Sequence, residues 1–332
     1  MTKFLLLMLV AGAWLAPARA QSPGSMEELT LAAWLQKVND ASRQRAYTGT
    51  FVVSAGNTMS SAKIWHVCDG AQQMERVESL NGPPRSTFRR NDQVVTFYTD
   101  AKVAYAETRE SLGSFPNLLK STATSLEDNY QIRALAGERV VGLDTDVVQL
   151  KPKDASRFGY RVWTEKKSGL VVRLQTIDAE GRVMEQSAFS ELQLDAPVSM
   201  SKLSAMMANT GGYRVERPES HKTTAAEQGW TVRNNVAGFQ PLGCVKRVLV
   251  LAPPSTAAQE SVTQCMFSDG LATLSLFMEP YDPRRNVKEA GTEVSGATHT
   301  LAVRNGDWWI TAVGEVPLRT LQSFALALER KK

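Results

Sequence analysis

Between residues 47 and 192 the chain alternates short runs of β-branched and aromatic residues with turn-forming residues. Turns as short as those at 167–169 and 179–181 suit hairpins, so the pattern predicts antiparallel strands. The predicted strands are 47–54, 62–67, 73–79, 94–98, 103–107, 131–134, 145–150, 160–164, 170–177 and 183–192. We expect roughly ten such strands to form a curved sheet or an open barrel.

A helix is predicted in front of the strands. Ser25 and Glu28 form a capping box, and apolar residues then recur at helical spacing over residues 26–43. Its apolar stripe has to bury against another element, so we expect helices to cover one face of the sheet. The predicted fold class is therefore α+β, mostly antiparallel β.

A second, smaller unit is predicted at the C-terminal end. Glycines and a proline indicate a linker over 209–227, which separates a first domain (21–208) from a second (228–332). The second domain is predicted to be an antiparallel sheet that ends in a helix over 318–329. Its predicted strands are 228–232, 245–252, 262–267, 273–278, 300–303 and 308–313.

The first twenty residues have the features of a secretory signal peptide. Lys3 precedes an apolar run over 4–15, and Ala18 and Ala20 form the cleavage signal. A run of a dozen residues is shorter than the roughly 20 that a membrane-spanning helix needs, which disfavours an uncleaved anchor. We therefore expect an exported, soluble chain. Its net charge, +4 with the signal peptide, is too small to indicate a nucleic-acid-binding protein.

Of the three cysteines, two are placed so that they could form a disulfide. Cys244 and Cys265 lie at equal distances from a predicted Pro-Pro turn, so an antiparallel hairpin would place them opposite each other. They form either a disulfide or, if the register slips by one residue, two reduced buried thiols. Cys68 stays unpaired. The scattered cysteines and histidines predict no metal site and no cofactor.

A search for catalytic groups gives only weak matches. Residues 60–63 and 199–202 both fit the pattern S-x-x-K, but the motifs that accompany it in β-lactamases occur here in the wrong order. No histidine has the carboxylate spacing of a catalytic triad or metal motif. We therefore expect a protein that is not an enzyme.

An ordered series of short motifs resembles the RseB/MucB family. The motifs lie at 34–35 with 47–53, 75–77 with 80–82, 115–116, 138–142, 154–163, 169–170, 267–272 with 275–277, and 313–317. The sequence Phe-Ser-Asp-Gly-Leu-Ala at 267–272 and Val-Gly-Glu-Val-Pro at 313–317 match most sharply. Val53 stands where the family has an aromatic residue, and residues 55–61 depart from the pattern.

The resemblance implies a periplasmic regulator of an envelope-stress sigma factor. Its first domain is then an open half-barrel like the LolA/LolB lipoprotein carriers, with a lipid- or lipopolysaccharide-binding concave side. Its second domain helps to hold the periplasmic part of a single-span, RseA/MucA-like anti-sigma factor and to shield it from regulated proteolysis. The alternative is a periplasmic lipid or lipoprotein carrier, which would not need the second domain. The oligomeric state is left open.

A lipid site needs an apolar lining and, for phosphate, nearby cations. The candidate lining residues are Phe51, Trp65, Phe97, Tyr105, Phe115, Leu118 and Trp163, and the candidate cations are Arg85, Arg89 and Arg90. The aromatic residues fit an ordinary core as well, and the arginines fit a solvated basic turn.

The candidate partner-binding residues are in the second domain. They are Ser268, Asp269, Gly270, Leu271, Gly314 and Glu315. A structural alternative stays open for both motifs, because Asp-Gly is a common hairpin dipeptide and Pro317 suits the first turn of a helix.

Overall fold

The computed structural model of the protein describes residues 31–70, 72–108, 115–117, 126–233, 236–248, 261–284, 286 and 291–331. The predicted signal peptide, the capping box and Leu118 lie outside these residues. Within them, no helix has the length and apolar character needed to cross a bilayer.

The first domain begins with a helix and continues as a long series of strands. The first part contains α1 (Leu31–Gln44), β1 (Tyr47–Ala55), β2 (Thr58–Cys68), β3 (Gln73–Ser79), β4 (Arg85–Arg90), β5 (Gln93–Tyr98) and β6 (Val103–Thr108). The second part contains α2 (Leu126–Asn129), β7 (Tyr130–Leu135), β8 (Arg139–Val140), β9 (Leu143–Pro152), β10 (Gly159–Glu165), β11 (Val171–Ile177), β12 (Val183–Leu194), α3 (Met200–Ala208) and β13 (Arg214–Glu216).

These strands form one open sheet. Its order in the described chain is β13-β6-β5-β4-β3-β2-β1-β12-β11-β10-β9-β7, with β8 paired to β9. The strands at the two ends of this order do not pair, so the barrel is not closed. Neighbouring strands are antiparallel except β13, which runs parallel to β6. The predicted class, a mostly antiparallel open sheet with covering helices, is confirmed.

Helices cover both faces of this sheet rather than one. On the α1 face, Trp34 and Val38 of the helix pack with Leu150 and Val162 of β9 and β10. On the opposite face, which we call the α3 face, Leu203 packs against Val67, Met74, Phe88 and Phe97. Alternation of side chains along each strand therefore decides which helix a residue meets.

The second domain is a smaller antiparallel sheet with one helix. It contains β14 (Ser220–Thr223), β15 (Trp230–Val232), β16 (Gln240–Val248), β17 (Ser261–Ser268), β18 (Thr273–Pro280), β19 (Gly291–Ser295), β20 (Thr298–Asn305), β21 (Trp308–Gly314), α4 (Leu318–Leu326) and β22 (Leu328–Arg330). The main sheet has the order β14-β16-β17-β18-β21-β20-β19, and β15 pairs with β22. Leu321 and Phe324 of α4 pack onto its core.

The structure differs from the sequence prediction in detail at three places. The solvated basic turn considered as an alternative for Arg85, Arg89 and Arg90 is instead a strand, β4, which pairs on both sides. The linker predicted at 209–227 contains β13 and β14, each joined to one of the two sheets. The C-terminal helix ends at Leu326, and the residues that follow form β22.

Candidate functional site

An aromatic cluster lies on the α1 face of the first sheet. The ring of Phe115 is 5.6 Å from that of Phe51 and 5.1 Å from that of Phe189, between centroids. Gly49 makes room for the Phe189 ring, because a Cβ at position 49 would lie 2.8 Å from that ring. Phe51 and Phe115 stay half-buried beside Val77. We define the aromatic cluster as Phe51, Val77, Phe115 and Phe189.

The predicted lining residues divide between the two faces of the sheet. The strand register places Tyr105 on the α1 face with Phe51, in the row that runs through Ile64. Trp65 and Phe97 instead lie on the α3 face, where they belong to the core beneath α3. The structure therefore does not bring the predicted lining aromatic residues into a single site.

Trp163 has a different environment from the aromatic cluster. Its side chain is 2% exposed, and its indole N–H donates to the Glu138 carboxylate at 3.1 Å. The Arg173 guanidinium lies 5.0 Å from the ring centroid, which is the geometry of a cation–π contact. These contacts are those of a packed core residue.

The three candidate arginines lie on β4 and point in two directions. Arg85 and Arg89 are on the α1 face, whereas Arg90 is on the α3 face and donates to the Gln72 side chain at 2.7 Å. Arg85 is exposed, and Arg89 is half-buried and pairs in register with Glu75 of β3. Two of the three cations therefore share a face with the aromatic cluster.

A row of polar residues crosses the α1 face next to the aromatic cluster. Tyr47, His66, Glu75 and Arg89 are paired in register on β1 to β4. The rings of Tyr47 and His66 are stacked with centroids 4.9 Å apart, and His66 Nδ1 lies 2.8 Å from the carbonyl oxygen of Arg45. Burial raises the pKa of the Glu75 carboxyl, against the opposing effects of His66 and Arg89. These four side chains form a polar row on the α1 face beside the apolar aromatic cluster.

The motif at 268–272 forms the turn between β17 and β18, which we call the docking turn. Ser268, Asp269 and Leu271 are each at most 2% exposed. The Ser268 hydroxyl donates to the carbonyl of Ala272 and accepts from the N–H of Gly270, so it closes the turn. Leu271 packs against the first domain, in the cluster that contains Trp34, Tyr130, Leu150 and Tyr160.

Asp269 connects the two domains through a buried ion pair. Its carboxylate accepts hydrogen bonds from the Tyr130 hydroxyl at 2.8 Å and from the Arg157 guanidinium at 3.0 Å. The side chains of Arg157 and Asp269 are both 0% exposed. Burial raises the pKa of Asp269, and the charge of Arg157 opposes that rise. Arg157 also bonds to Asp154 and to the carbonyl of Ala237.

Further contacts extend this interface between the domains. The Thr320 hydroxyl of α4 donates to the carbonyl of Ser156 at 2.7 Å. The His299 ring packs edge-on against Phe158, with centroids 5.6 Å apart. Burial lowers the pKa of His299, so its ring is held in the neutral form more strongly than an exposed imidazole. The motif at 268–271, which was predicted to contact a partner, is thus covered by the first domain.

Gly314 and Glu315 line a groove on the outer face of the second sheet. The groove has a volume of about 230 Å³, and its lining residues are Thr273, Leu274, Ser275, Phe277, Thr298, Val313, Gly314 and Glu315. A Cβ at Gly314 would lie 2.6 Å from the carbonyl oxygen of Thr273, so this glycine permits close strand packing. The groove combines hydroxyl groups, one carboxylate and an apolar wall.

Cys244 and Cys265 are joined by a disulfide and are direct partners in the β16–β17 ladder. Cys68 is a free, half-buried thiol at the end of β2. Among the described residues, no group of three or more side chains is arranged to hold a metal ion.

Sequence reasoning missed Tyr130, Arg157 and Glu75 as members of these sites. Arg157 stands within one of the family motifs, but its partner Asp269 is 112 residues further along the chain. Arg157 is a charged residue within an apolar motif. Because buried charges in proteins are paired, this combination could have indicated a buried ion pair.

The fold and its sites define a class: a two-domain protein with an open antiparallel sheet, a helix on each face, and a second sheet docked through a buried ion pair. Two family models match the chain in the corresponding order, the MucB/RseB N-terminal domain over residues 30–207 and the MucB/RseB C-terminal domain over 224–329. The chain belongs to the MucB/RseB family. This membership confirms the predicted periplasmic location.

Curated relatives match nearly the whole chain. The sigma factor AlgU regulatory protein MucB of Pseudomonas aeruginosa is 25% identical, over 97% of this chain and 96% of its own. The sigma-E factor regulatory protein RseB of Escherichia coli K12 is 23% identical, over 96% and 95%. The crystal structure of MucB in complex with MucA(peri) has a TM-score of 0.68 at 23% identity and covers 91% of this chain and 99% of MucB, which shows a shared fold.

Proposed function

We propose that the protein is a periplasmic regulator that binds the periplasmic part of a membrane-anchored anti-sigma factor and shields it from regulated proteolysis. The observation that carries the proposal is the match of both domain models, in order, along the described chain. The relatives named above are sigma factor regulatory proteins, and MucB has been crystallised with MucA(peri). The proposed role requires binding and no catalysis.

We propose the groove at Glu315 as a contact for this partner. Glu315 is half-buried: its backbone N–H donates to the carbonyl oxygen of Thr273 at 3.2 Å, and its carboxylate lies within electrostatic range of Tyr160. As a lining group of the groove, this carboxylate could accept a hydrogen bond from the partner. Ser268, Asp269, Gly270 and Leu271 are buried, and Asp269 and Leu271 contact the first domain, which opposes direct contact with a partner in the docked arrangement. For these four residues, the structure supports an indirect role better than a direct one.

We also propose that the α1 face binds a lipid that carries a phosphate group. Three features support this: a half-buried aromatic cluster, the cations Arg85 and Arg89 on the same face, and the polar row beside them. Apolar surface with a few convergent polar groups is the usual composition of a ligand site. Of the predicted residues, Phe51, Phe115, Arg85 and Arg89 fit this site, and Tyr105 lies farther along the same face.

The test of partner binding is a direct binding measurement on the mature protein. We expect saturable, one-to-one binding of the purified periplasmic domain of the organism's own anti-sigma factor, and slower proteolysis of that domain when it is bound. Absence of binding, together with recovery of lipoproteins from a solubilised membrane fraction, would support a carrier instead.

The test of lipid binding uses vesicles of defined composition. Phe51→Asp places a charge in the aromatic cluster and should abolish binding of a fluorescent, phosphate-bearing acyl lipid. Arg89→Gln should weaken binding only at low salt, because screening already reduces a charge contact at high salt. Met59→Asp is the matched control, since Met59 is 73% exposed on β2. Equal binding by all three variants would refute the proposed site.

A further inference from the structure

The two oxygens of the Asp269 carboxylate have different partners. Oδ1 accepts hydrogen bonds from the N–H of Leu271 at 3.0 Å and of Ala272 at 2.8 Å, both within the docking turn. Oδ2 accepts from Tyr130 and Arg157, both in the first domain. One side chain therefore builds the turn and also joins that turn to the other domain.

The ion pair and the apolar contact contribute differently to docking. Leu271 stabilises the docked arrangement through the hydrophobic effect, because its side chain is buried among apolar residues of the first domain. The buried Arg157–Asp269 pair adds little net stability compared with an apolar contact, since both charges lose their hydration. Any arrangement that separates the charges while they stay buried is strongly disfavoured. The pair consequently selects one orientation among those that Leu271 alone would permit.

We propose that Asp269 is a positioning residue, which fixes the orientation of the second domain on the first. It thereby sets the placement of the Glu315 groove relative to the aromatic cluster. The claim that Asp269 fixes the domain orientation does not depend on the proposed function. The claim that this orientation affects partner binding does rest on that function, and a separate measurement tests it.

The first measurement is the distance between the domains by double electron–electron resonance. Spin labels are placed at Asp92→Cys, in the exposed β4–β5 turn, and at Gln322→Cys on the exposed side of α4, with Cys68→Ser to remove the free thiol. We expect one narrow distance distribution for the otherwise unchanged chain, since the domains are docked in one way.

The decisive variant is Asp269→Asn. The amide oxygen can still accept the hydrogen bonds of the docking turn, but the amide NH₂ then faces the guanidinium of Arg157. We expect a broadened distance distribution with an unchanged circular dichroism spectrum. Asp307→Asn is the matched control, because Asp307 lies in the exposed turn between β20 and β21 of the same domain. It should leave the distribution narrow.

A second variant approaches the pair from the other domain. Arg157→Met leaves the docking turn untouched and removes the cation that compensates the buried carboxylate. It should broaden the distribution at least as much as Asp269→Asn, and it decides the question if Asp269→Asn fails to fold. A narrow, unshifted distribution in Arg157→Met, or in a folded Asp269→Asn, would overturn the positioning role.

The second measurement is affinity for the purified periplasmic domain of the organism's own anti-sigma factor. We expect Asp269→Asn and Arg157→Met to lower the affinity at least tenfold and Asp307→Asn to leave it unchanged. If variants with broadened distance distributions keep their affinity, partner binding does not depend on the domain orientation. That result would overturn the proposed link between orientation and binding. If even the unmodified protein does not bind, the proposed function fails, while the distance data still decide the role of Asp269.

Discussion

Glu165 is the last residue of β10, directly before the turn to β11, and is 6% exposed. Its carboxylate accepts hydrogen bonds from the backbone N–H of Lys167 at 2.9 Å and of Ser168 at 2.6 Å. Burial alone would raise the pKa of Glu165, but the Ser168 side chain, these two backbone hydrogen bonds and the charge of Arg45 together outweigh that effect and lower it. The folded chain therefore binds a proton at Glu165 less readily than the unfolded chain does.

This shift has a definite consequence for stability against pH. A carboxylate whose pKa is lower in the folded state stabilises the protein above its unfolded pKa, about 4.3 for glutamate, and that contribution is lost as the pH falls through the lower folded value. Glu165→Gln should reduce the free energy of unfolding by about 1 kcal/mol at neutral pH. Urea unfolding at pH 7 and in acid checks this, and an equal loss at both pH values would contradict it.

Gly49 is a second position where a single atom matters. A Cβ there would lie 2.8 Å from the Phe189 ring and closer still to the carbonyl oxygen of Glu191. We expect Gly49→Ala to push Phe189 out of the aromatic cluster and to destabilise the first domain by about 1–3 kcal/mol, the usual cost of overpacking. Gly211→Ala is the control, because its Cβ would have room. Similar thermal stability of the two variants would argue against this account.

At the scale of elements, local pattern predicted most strands but not their partners. Alternation and turn residues located the hairpins, and equal spacing from a turn located the opposed Cys244 and Cys265. The strand β4 was missed because its arginines suggest a solvated turn, whereas pairing on both sides holds it in the sheet. The strands β13 and β14 were missed because each is held mainly by pairing to a distant strand.

The candidate site was less predictable than the elements for the same physical reason. Residue types identified aromatic and basic groups, but only the register across several strands separates Phe51 from Trp65 and Arg89 from Arg90. Because side chains alternate, an uncertainty of one residue in register exchanges the two faces. The contact of Asp269 with the first domain depends on how the domains dock, which local sequence does not encode.

The disulfide closes the long hairpin of β16 and β17. It joins residues 21 positions apart, and crosslinking a loop of that size stabilises a protein by about 3 kcal/mol, mainly by restricting the unfolded chain. We expect Cys244→Ser with Cys265→Ser to lower the free energy of unfolding by about that amount. Cys68→Ser should have little effect. If reductant destabilises the double variant as much as the unmodified chain, the disulfide is not the cause.

At the scale of the whole molecule, the docking turn makes the two cores continuous. Leu271 belongs to the second domain by sequence and to a core cluster of the first domain by packing. Two domains joined only by a linker unfold in separate steps, whereas domains that share buried contacts depend on each other. We therefore expect the mature protein to unfold in one main calorimetric transition.

Removing the shared contact should separate that transition into two. Leu271→Ala deletes most of a side chain that is 2% exposed, and such truncations cost about 2–5 kcal/mol, here taken largely from docking rather than from either domain alone. Leu326→Ala, at a side chain 84% exposed on α4, should leave the single transition unchanged. A single, uniformly shifted transition in Leu271→Ala would mean that the domains are coupled through the remaining contacts, such as Thr320 with Ser156, and that Leu271 only adds to them.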